Sequence, residues 1–310
     1  MSLKFARGSL FAYQLCTLTN KCSGLASAAG WETLTETSAF KLQVVPASEI
    51  TMGPGIYRMT RYPRGTCLII NNVEFISTED QRDGSELDVD RMKDLFTQFL
   101  FTVTVGSNLT ADEMKKLLRD VSQQESQKDA ECLVVILMSH GLEGVIYGSD
   151  DEKVHLERDV YERFNNEKCR ALQGKPKLFF VQACRGREWD SGTDDVRERH
   201  DTPQEECQRS APTSIQPRGR ITTVSDIYIA YATISGYVSI RNARTGSWFL
   251  SAVGTVFSEH ACTMSLNGLM REVHKKVMEC SAHDGSKQTP SIYMEGLTKE
   301  LYFNPGRFVQ

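Results

Sequence analysis

The sequence predicts an α/β fold with a mainly parallel central sheet flanked by helices. Short, almost wholly apolar runs, Cys67-Leu68-Ile69-Ile70, Cys132-Leu133-Val134-Val135-Ile136-Leu137-Met138 and Leu178-Phe179-Phe180-Val181, suit strands covered on both faces. Between them, apolar residues recur at three- and four-residue steps, the period of a helix, so strand and helix alternate as they do when crossover helices join parallel strands. A chain of 310 residues can bury a substantial core. No internal repeat divides it, so its two blocks of elements are expected to build one sheet rather than two domains.

In chain order, residues 1–55 differ from the rest: they hold no acidic residue before Glu32 and are rich in Ser, Thr and Ala. An apolar patch near Leu10 precedes Ala26-Ser27-Ala28, but Gln14 and Thr17 interrupt it, so a flexible leader is expected rather than a targeting peptide. Organised structure is expected from about Tyr57. The strand at 67–70 leads into Asn71-Asn72, and Val89, Met92, Phe96 and Phe99 mark an amphipathic helix over 87–100. Residues 101–105 alternate like a strand. Thr110 and Glu113 form a capping box for a helix whose apolar face is Met114, Leu117, Leu118 and Val121. The strand at 132–138, a hairpin-like stretch at 145–154, a brief helix around Tyr161 and Phe164, and a strand ending at Val181 complete the first block, 56–186. Residues 187–222 mix Glu188, Asp190, Asp194, Asp195, Asp201, Glu205 and Glu206 with arginines and prolines, without apolar periodicity, and are expected to be an exposed linker. The second block, 223–310, holds a strand at 227–233, a helix through Trp248, Phe249, Val253, Val256 and Phe257, a helix through Leu266, Leu269, Met270, Val273 and Val277, and short strands at 291–294 and 301–303.

Composition narrows the function. A net charge of −4, with Lys and Arg scattered, offers no field for nucleic acid. No apolar run approaches the roughly 18 residues of a membrane span. Nine cysteines, odd in number and without a Cys-x-x-Cys pair, argue against a disulfide scaffold or structural zinc and for a reducing compartment. No cofactor or metal is expected.

The chemistry gathers where two buried strands end. Cys184 follows Phe179-Phe180-Val181-Gln182, and His140 follows Ile136-Leu137-Met138-Ser139. If those strands are parallel neighbours, thiol and imidazole emerge at the same carboxyl edge, where open α/β sheets hold their ligands. A thiol needs such a partner to become a nucleophile near neutral pH. Taken singly, a buried Cys or His is more often structural; it is the pairing of two such strand ends that points to catalysis.

These residues resemble the caspase family. Gln182-Ala183-Cys184-Arg185-Gly186, with Ser139-His140-Gly141 upstream (184 − 140 = 44 residues), is similar to its active-site signature. Pro63-Arg64-Gly65-Thr66-Cys67, Arg82-Asp83-Gly84, Gly174-Lys175-Pro176-Lys177, Gly246-Ser247-Trp248-Phe249 and Leu301-Tyr302-Phe303 follow in the family's order. The segments at 256–262 and 301–306 are most similar to the caspase-two branch. The resemblance implies a caspase-like fold built from a large and a small subunit segment, with Cys184 as nucleophile, His140 as proton carrier, and the backbone N–H groups of Gly141 and Cys184 as oxyanion hole. It implies that Arg82, Gln182 and Arg241 line a pocket for Asp, that Ser239 hydrogen-bonds an extended peptide, and that Trp248 walls a more distant pocket. Val238 and Ile240 stand where the family often has aromatic residues, which leaves the preference two positions before the cut open.

The same resemblance implies a zymogen cut within its linker, with Asp190, Asp194, Asp195 and Asp201 as candidate sites and Asp201 or the Asp194-Asp195 pair favoured. No Asp occurs before Asp80, so Asp-specific cleavage cannot release residues 1–55, which are also too short for the family's recruitment domain. Implied partners are protein substrates with exposed Asp-containing loops, a second copy in a homodimer of large/small pairs, and upstream caspases or inhibitor proteins, with no nucleic acid or membrane. The implied location is the cytoplasm, with the nucleus as a second site. A catalytically silent regulator that dimerises with active caspases is the alternative from another class, and a relative specific for basic residues is disfavoured by Arg82 and Arg241.

Overall fold

The computed structural model describes residues 41–77, 81–193 and 222–309. Its centre is a single six-stranded sheet that takes strands from both sides of the linker. Strand β1 (Thr66–Asn71) is followed by helix α1 (Ser85–Gln98), β2 (Thr102–Ser107), α2 (Ala111–Gln123) and β3 (Leu133–Met138). A small antiparallel sheet of β4 (Gly141–Leu142), β5 (Val145–Tyr147) and β6 (Lys153–His155) comes next, then the central strand β7 (Lys177–Gln182) and the short β8 (Gly186–Glu188). Beyond the linker lie β9 (Ile227–Tyr231), β10 (Gly236–Tyr237), the hairpin β11 (Arg241–Asn242) and β12 (Gly246–Ser247), α3 (Trp248–His260), α4 (Leu266–Glu279) and β13 (Ser291–Glu295). The sheet order is β13-β9-β7-β3-β1-β2, parallel throughout except for β13, which runs antiparallel to β9.

The apolar runs become the buried strands because both faces of the sheet are covered. Side chains alternate across a strand, so Cys67, Ile69, Leu178 and Phe180 enter a core under α1, α3 and α4, whereas Leu68, Ile70, Phe179 and Val181 enter a second core under α2 and residues 156–164. In the first core Phe96, Phe99, Phe101, Phe180, Phe257 and Phe303 form a cluster of tilted and edge-on rings. The capping box at α2 is present: the Thr110 hydroxyl accepts from Glu113 N–H, and the Glu113 carboxylate accepts from Thr110 N–H at 2.9 Å.

Three local expectations change. The ordered body begins before Tyr57: Leu42 N–H donates to Asp94, Val45 N–H to the Ser258 carbonyl and Ala47 N–H to Pro305, so residues 41–47 lie along α1 and α3 with Leu42 and Ala47 buried. Residues 1–40 lie outside the described residues. No strand forms at 301–303; Leu301 and Phe303 point into the core, and only Glu300 makes a bridge, to Ile56. The linker's first residues are paired rather than free, since β8 lies beside β10 and Asp190 bridges Lys287. Its remainder, 194–221, lies outside the described residues.

Candidate active site

The pairing of β3 with β7 sets the site. Met138 lies opposite Gln182 in register, and His140 and Cys184 each follow two residues later, so both leave the sheet at one carboxyl edge. Ser139 N–H donates to the Gln182 carbonyl (3.4 Å), tying the two departing chains together. Between them Gly141 packs so closely that a Cβ there would stand 2.7 Å from the Val145 carbonyl and 3.1 Å from the Cys184 carbonyl. The backbones of 141 and 184 therefore lie side by side, which only glycine permits at 141. The His140 ring packs on Phe75, centroids 4.6 Å apart, and its carbonyl accepts from Tyr147 N–H (3.0 Å).

Cys184 is partly exposed. Its sulfur accepts from the Ser239 N–H at 3.4 Å, and the Ser239 hydroxyl lies 3.8 Å away. The Gln182 amide, buried two residues before Cys184, donates to that hydroxyl (3.1 Å), while its own Oε1 has no hydrogen-bond partner among the described residues. The segment carrying Ser239 is held by Gln288, whose Oε1 accepts from Ile240 N–H (2.6 Å) and whose Nε2 donates to Ala232 (2.7 Å).

Arg82 reaches this edge from the loop before α1. It is almost wholly buried, and its guanidinium donates to Asn71 Oδ1 (3.1 Å) and the Asn72 carbonyl (2.9 Å), both at the end of β1. Burial first, and the like charge of Arg241 second, pull its pKa below the ordinary arginine range, to about 9. Arg241, on β11, donates to the Asp83 carbonyl. Two cations thus converge near the thiol, and their hydrogen-bond acceptors are neutral oxygens. Trp248 opens α3, half-buried, and its N–H donates to the Ile240 carbonyl (3.2 Å). The structure therefore brings His140, Gly141, Gln182, Cys184, Arg82, Ser239 and Arg241 to one end of the sheet. Among the linker candidates, Asp190 has its carbonyl bonded to Lys287 N–H and its carboxylate to Gly192 N–H; Asp194, Asp195 and Asp201 lie outside the described residues.

The supporting contacts of four residues escaped the sequence reading. Asn71 and Asn72 hold Arg82, and the only signal was two amides directly after a buried strand. Asp88, fully buried in the first turn of α1, accepts from Ser247 N–H (2.9 Å) and Arg91 (2.9 Å). Arg185, next to Cys184, pairs with Glu143 (2.6 Å) and lies 4.0 Å from the centre of the Tyr231 ring, so it pins the chain after Cys184 to β9 and to the loop after β4. Nothing in their spacing announces these partners, most of which lie on distant segments of the chain.

Residues 64–302 match a family model described as the caspase domain. The chain is 34% identical over 260 residues to caspase-2 of Gallus gallus, covering 81% of this chain and 61% of that protein. It is 35% identical over 256 residues to caspase-3 of Bos taurus, covering 80% and 87%. To cell death protein 3 of Caenorhabditis remanei it is 36% identical over 279 residues, covering 81% and 52%. The matched part thus spans less than two thirds of the first of these relatives and about half of the last.

Proposed function

The chain belongs to the caspase family, and from that premise we propose that it is a cysteine endopeptidase that cuts peptide bonds after Asp. The observation that carries this reading is the pair Arg82 and Arg241, held beside Cys184 by neutral acceptors. A carboxylate entering between them gains charge-assisted hydrogen bonds and offsets the repulsion of the two guanidiniums. A basic side chain would be repelled, and a neutral one would leave both cations unpaired.

With the Asp side chain held there, the carbonyl that follows it lies against Cys184. The sulfur, as thiolate, attacks that carbon, and the charge that develops on the carbonyl oxygen is met by the N–H groups of Cys184 and Gly141, whose backbones the Gly141 packing keeps adjacent. His140 gives its proton to the leaving amine as the C–N bond breaks, leaving a thioester. Water, losing a proton to His140, then releases the acid and restores the thiol. The Ser239 N–H now resting on the sulfur swings to the substrate backbone, as a strand-addition mode of peptide binding requires.

The protein acts in cell death or related signalling, on protein substrates with exposed Asp-containing loops, in the cytoplasm. It is made as a zymogen and processed within 187–222. Asp190 is the poorest site there, since its backbone is already paired, which favours cleavage after Asp194, Asp195 or Asp201. Two large/small pairs join through β13, the antiparallel strand at the sheet edge, where Tyr293 and Met294 are exposed.

Intact mass of the recombinant full chain and its Cys184→Ala variant tests this reading. The wild type is expected to split after an Asp of the linker while the variant stays whole. Both remaining whole, even when concentrated, would favour the silent regulator.

A further inference from the structure

We propose that Asp88 is the positioning residue of the Asp pocket, holding the half that carries Arg241 in register with the half that carries Arg82. The proposal rests on the reading of Arg82 and Arg241 as the pocket for a substrate carboxylate. The two arginines lie 159 residues apart in sequence (241 − 82), on opposite sides of the linker, so their spacing depends on how the β11–β12 hairpin docks on α1. That docking runs through one buried carboxylate. Asp88 Oδ2 accepts from the N–H of Ser247, the residue paired with Arg241 across the hairpin, and Asp88 Oδ1 accepts from Arg91, which in turn donates to the Thr245 carbonyl at the hairpin turn (3.2 Å).

Two glycines bring the pieces within reach. Gly246 has φ +84, and a Cβ there would stand 2.4 Å from Asp88 Oδ1; Gly84 has φ +82, and a Cβ there would stand 2.6 Å from the Ala243 carbonyl. Both positions need a left-handed backbone and both lie in the seam between hairpin and α1. Asp88 also contributes charge. Its buried carboxylate favours the charged form of the buried Arg82 and so opposes the repulsion that Arg241 exerts on it while the pocket is empty. A hairpin released from Asp88 would let Arg241 drift from Arg82, which widens the pocket and weakens its grip on Asp more than on the longer Glu.

The test measures KM and kcat on peptides with Asp or Glu before a chromogenic amine, using the full chain left to process itself and counting active sites by titration of the reactive thiol. Asp88→Ala is expected to raise KM for the Asp peptide about tenfold or more, leave kcat per titrated site within about threefold, and lower the preference for Asp over Glu. Asp88→Asn keeps an acceptor for Ser247 N–H and is expected to restore most of the KM. Arg91→Met, which spares the Ser247 bond, is expected to raise KM about threefold, and it decides the matter together with Asp88→Asn if Asp88→Ala does not fold. A structural role alone would lower the number of titrated sites without moving KM or the Asp/Glu ratio, and that result overturns the proposal. A wild type that ignores Asp peptides would instead overturn the reading of the pocket.

Discussion

The two ends of the sheet both bury charge, and they handle it differently. At the amino-terminal end Glu131 accepts from Thr60 N–H, the Thr60 hydroxyl and Arg61 N–H, and pairs with Arg58 at 2.8 Å. Beside it the buried Lys177 lies 4.0 Å from Asp226, which also accepts from the Tyr57 hydroxyl (2.6 Å) and from Ser225. At the carboxyl end Asp88 pairs with Arg91 and Arg185 with Glu143, while Arg82 and Arg241 donate to neutral oxygens. Buried charge is costly unless paired. The buried cations of the amino-terminal end have carboxylates within reach, Lys177 with Asp226 and Arg64 with Glu131 at 3.9 Å, whereas Arg82 and Arg241 face each other, and the proposed function assigns that place to a counter-ion from outside.

That contrast is broken or sharpened by mutation, beginning with the largest effect. Asp226→Ala leaves Lys177 and Tyr57 without their partner and is expected to lower unfolding stability by about 3–5 kcal/mol, with KM for Asp peptides unchanged in the fraction that folds. Urea unfolding checks the first statement and peptide kinetics the second. Arg82→Met is expected to do the reverse. Loss of one arm of a buried carboxylate clamp costs on the order of 100-fold in kcat/KM, while removing an unpaired buried cation leaves stability equal or higher. If Arg82→Met unfolds the protein instead, the two ends are alike and the contrast fails.

A double-mutant cycle refines the structural end. Lys177→Met combined with Asp226→Ala is expected to cost about 1–3 kcal/mol less than the sum of the two single changes, because no charge is then left alone. The smallest effect concerns pH. Burial holds the Asp88 carboxyl above its ordinary range, against the lowering pull of Ser247 and Arg91. A carboxylate whose folded pKa is raised weakens the fold at every pH above that value, and the cost disappears as pH falls to the ordinary value near 4. Asp88→Asn is therefore expected to be at least as stable as wild type at pH 7, with the difference shrinking from pH 7 toward pH 4 in thermal melts.

The strands were legible in the sequence because burial on both faces leaves a run such as Leu133–Met138 no polar position, and Cys184 and His140 were legible as a candidate pair because each follows such a run. The capping box at Thr110 and Glu113 was legible because it is local. What escaped was set by contacts between distant segments. Residues 301–303 alternate like a strand, yet Leu301 and Phe303 join the core, Phe303 against Phe96, Phe99 and Phe257, rather than pair with a neighbouring strand. The segment after Lys41 looked like leader because its few apolar residues have no period, and its backbone partners, Asp94, Gln98, Ser258 and Pro305 among them, lie far away in the chain. Asp88 read as one of several acids on the first turn of a helix; its burial depends on a hairpin that begins more than 150 residues later (241 − 88 = 153).

The central claim is that the open end of the sheet waits for a carboxylate. The most direct measurement compares kcat/KM on two peptides identical except for Asp or its neutral isostere Asn before the scissile bond, in wild type and in Arg82→Met. Wild type is expected to prefer Asp by at least about 100-fold, with the preference collapsing in the variant. Equal rates on the two peptides in wild type, or a preference that survives the loss of Arg82, would contradict it.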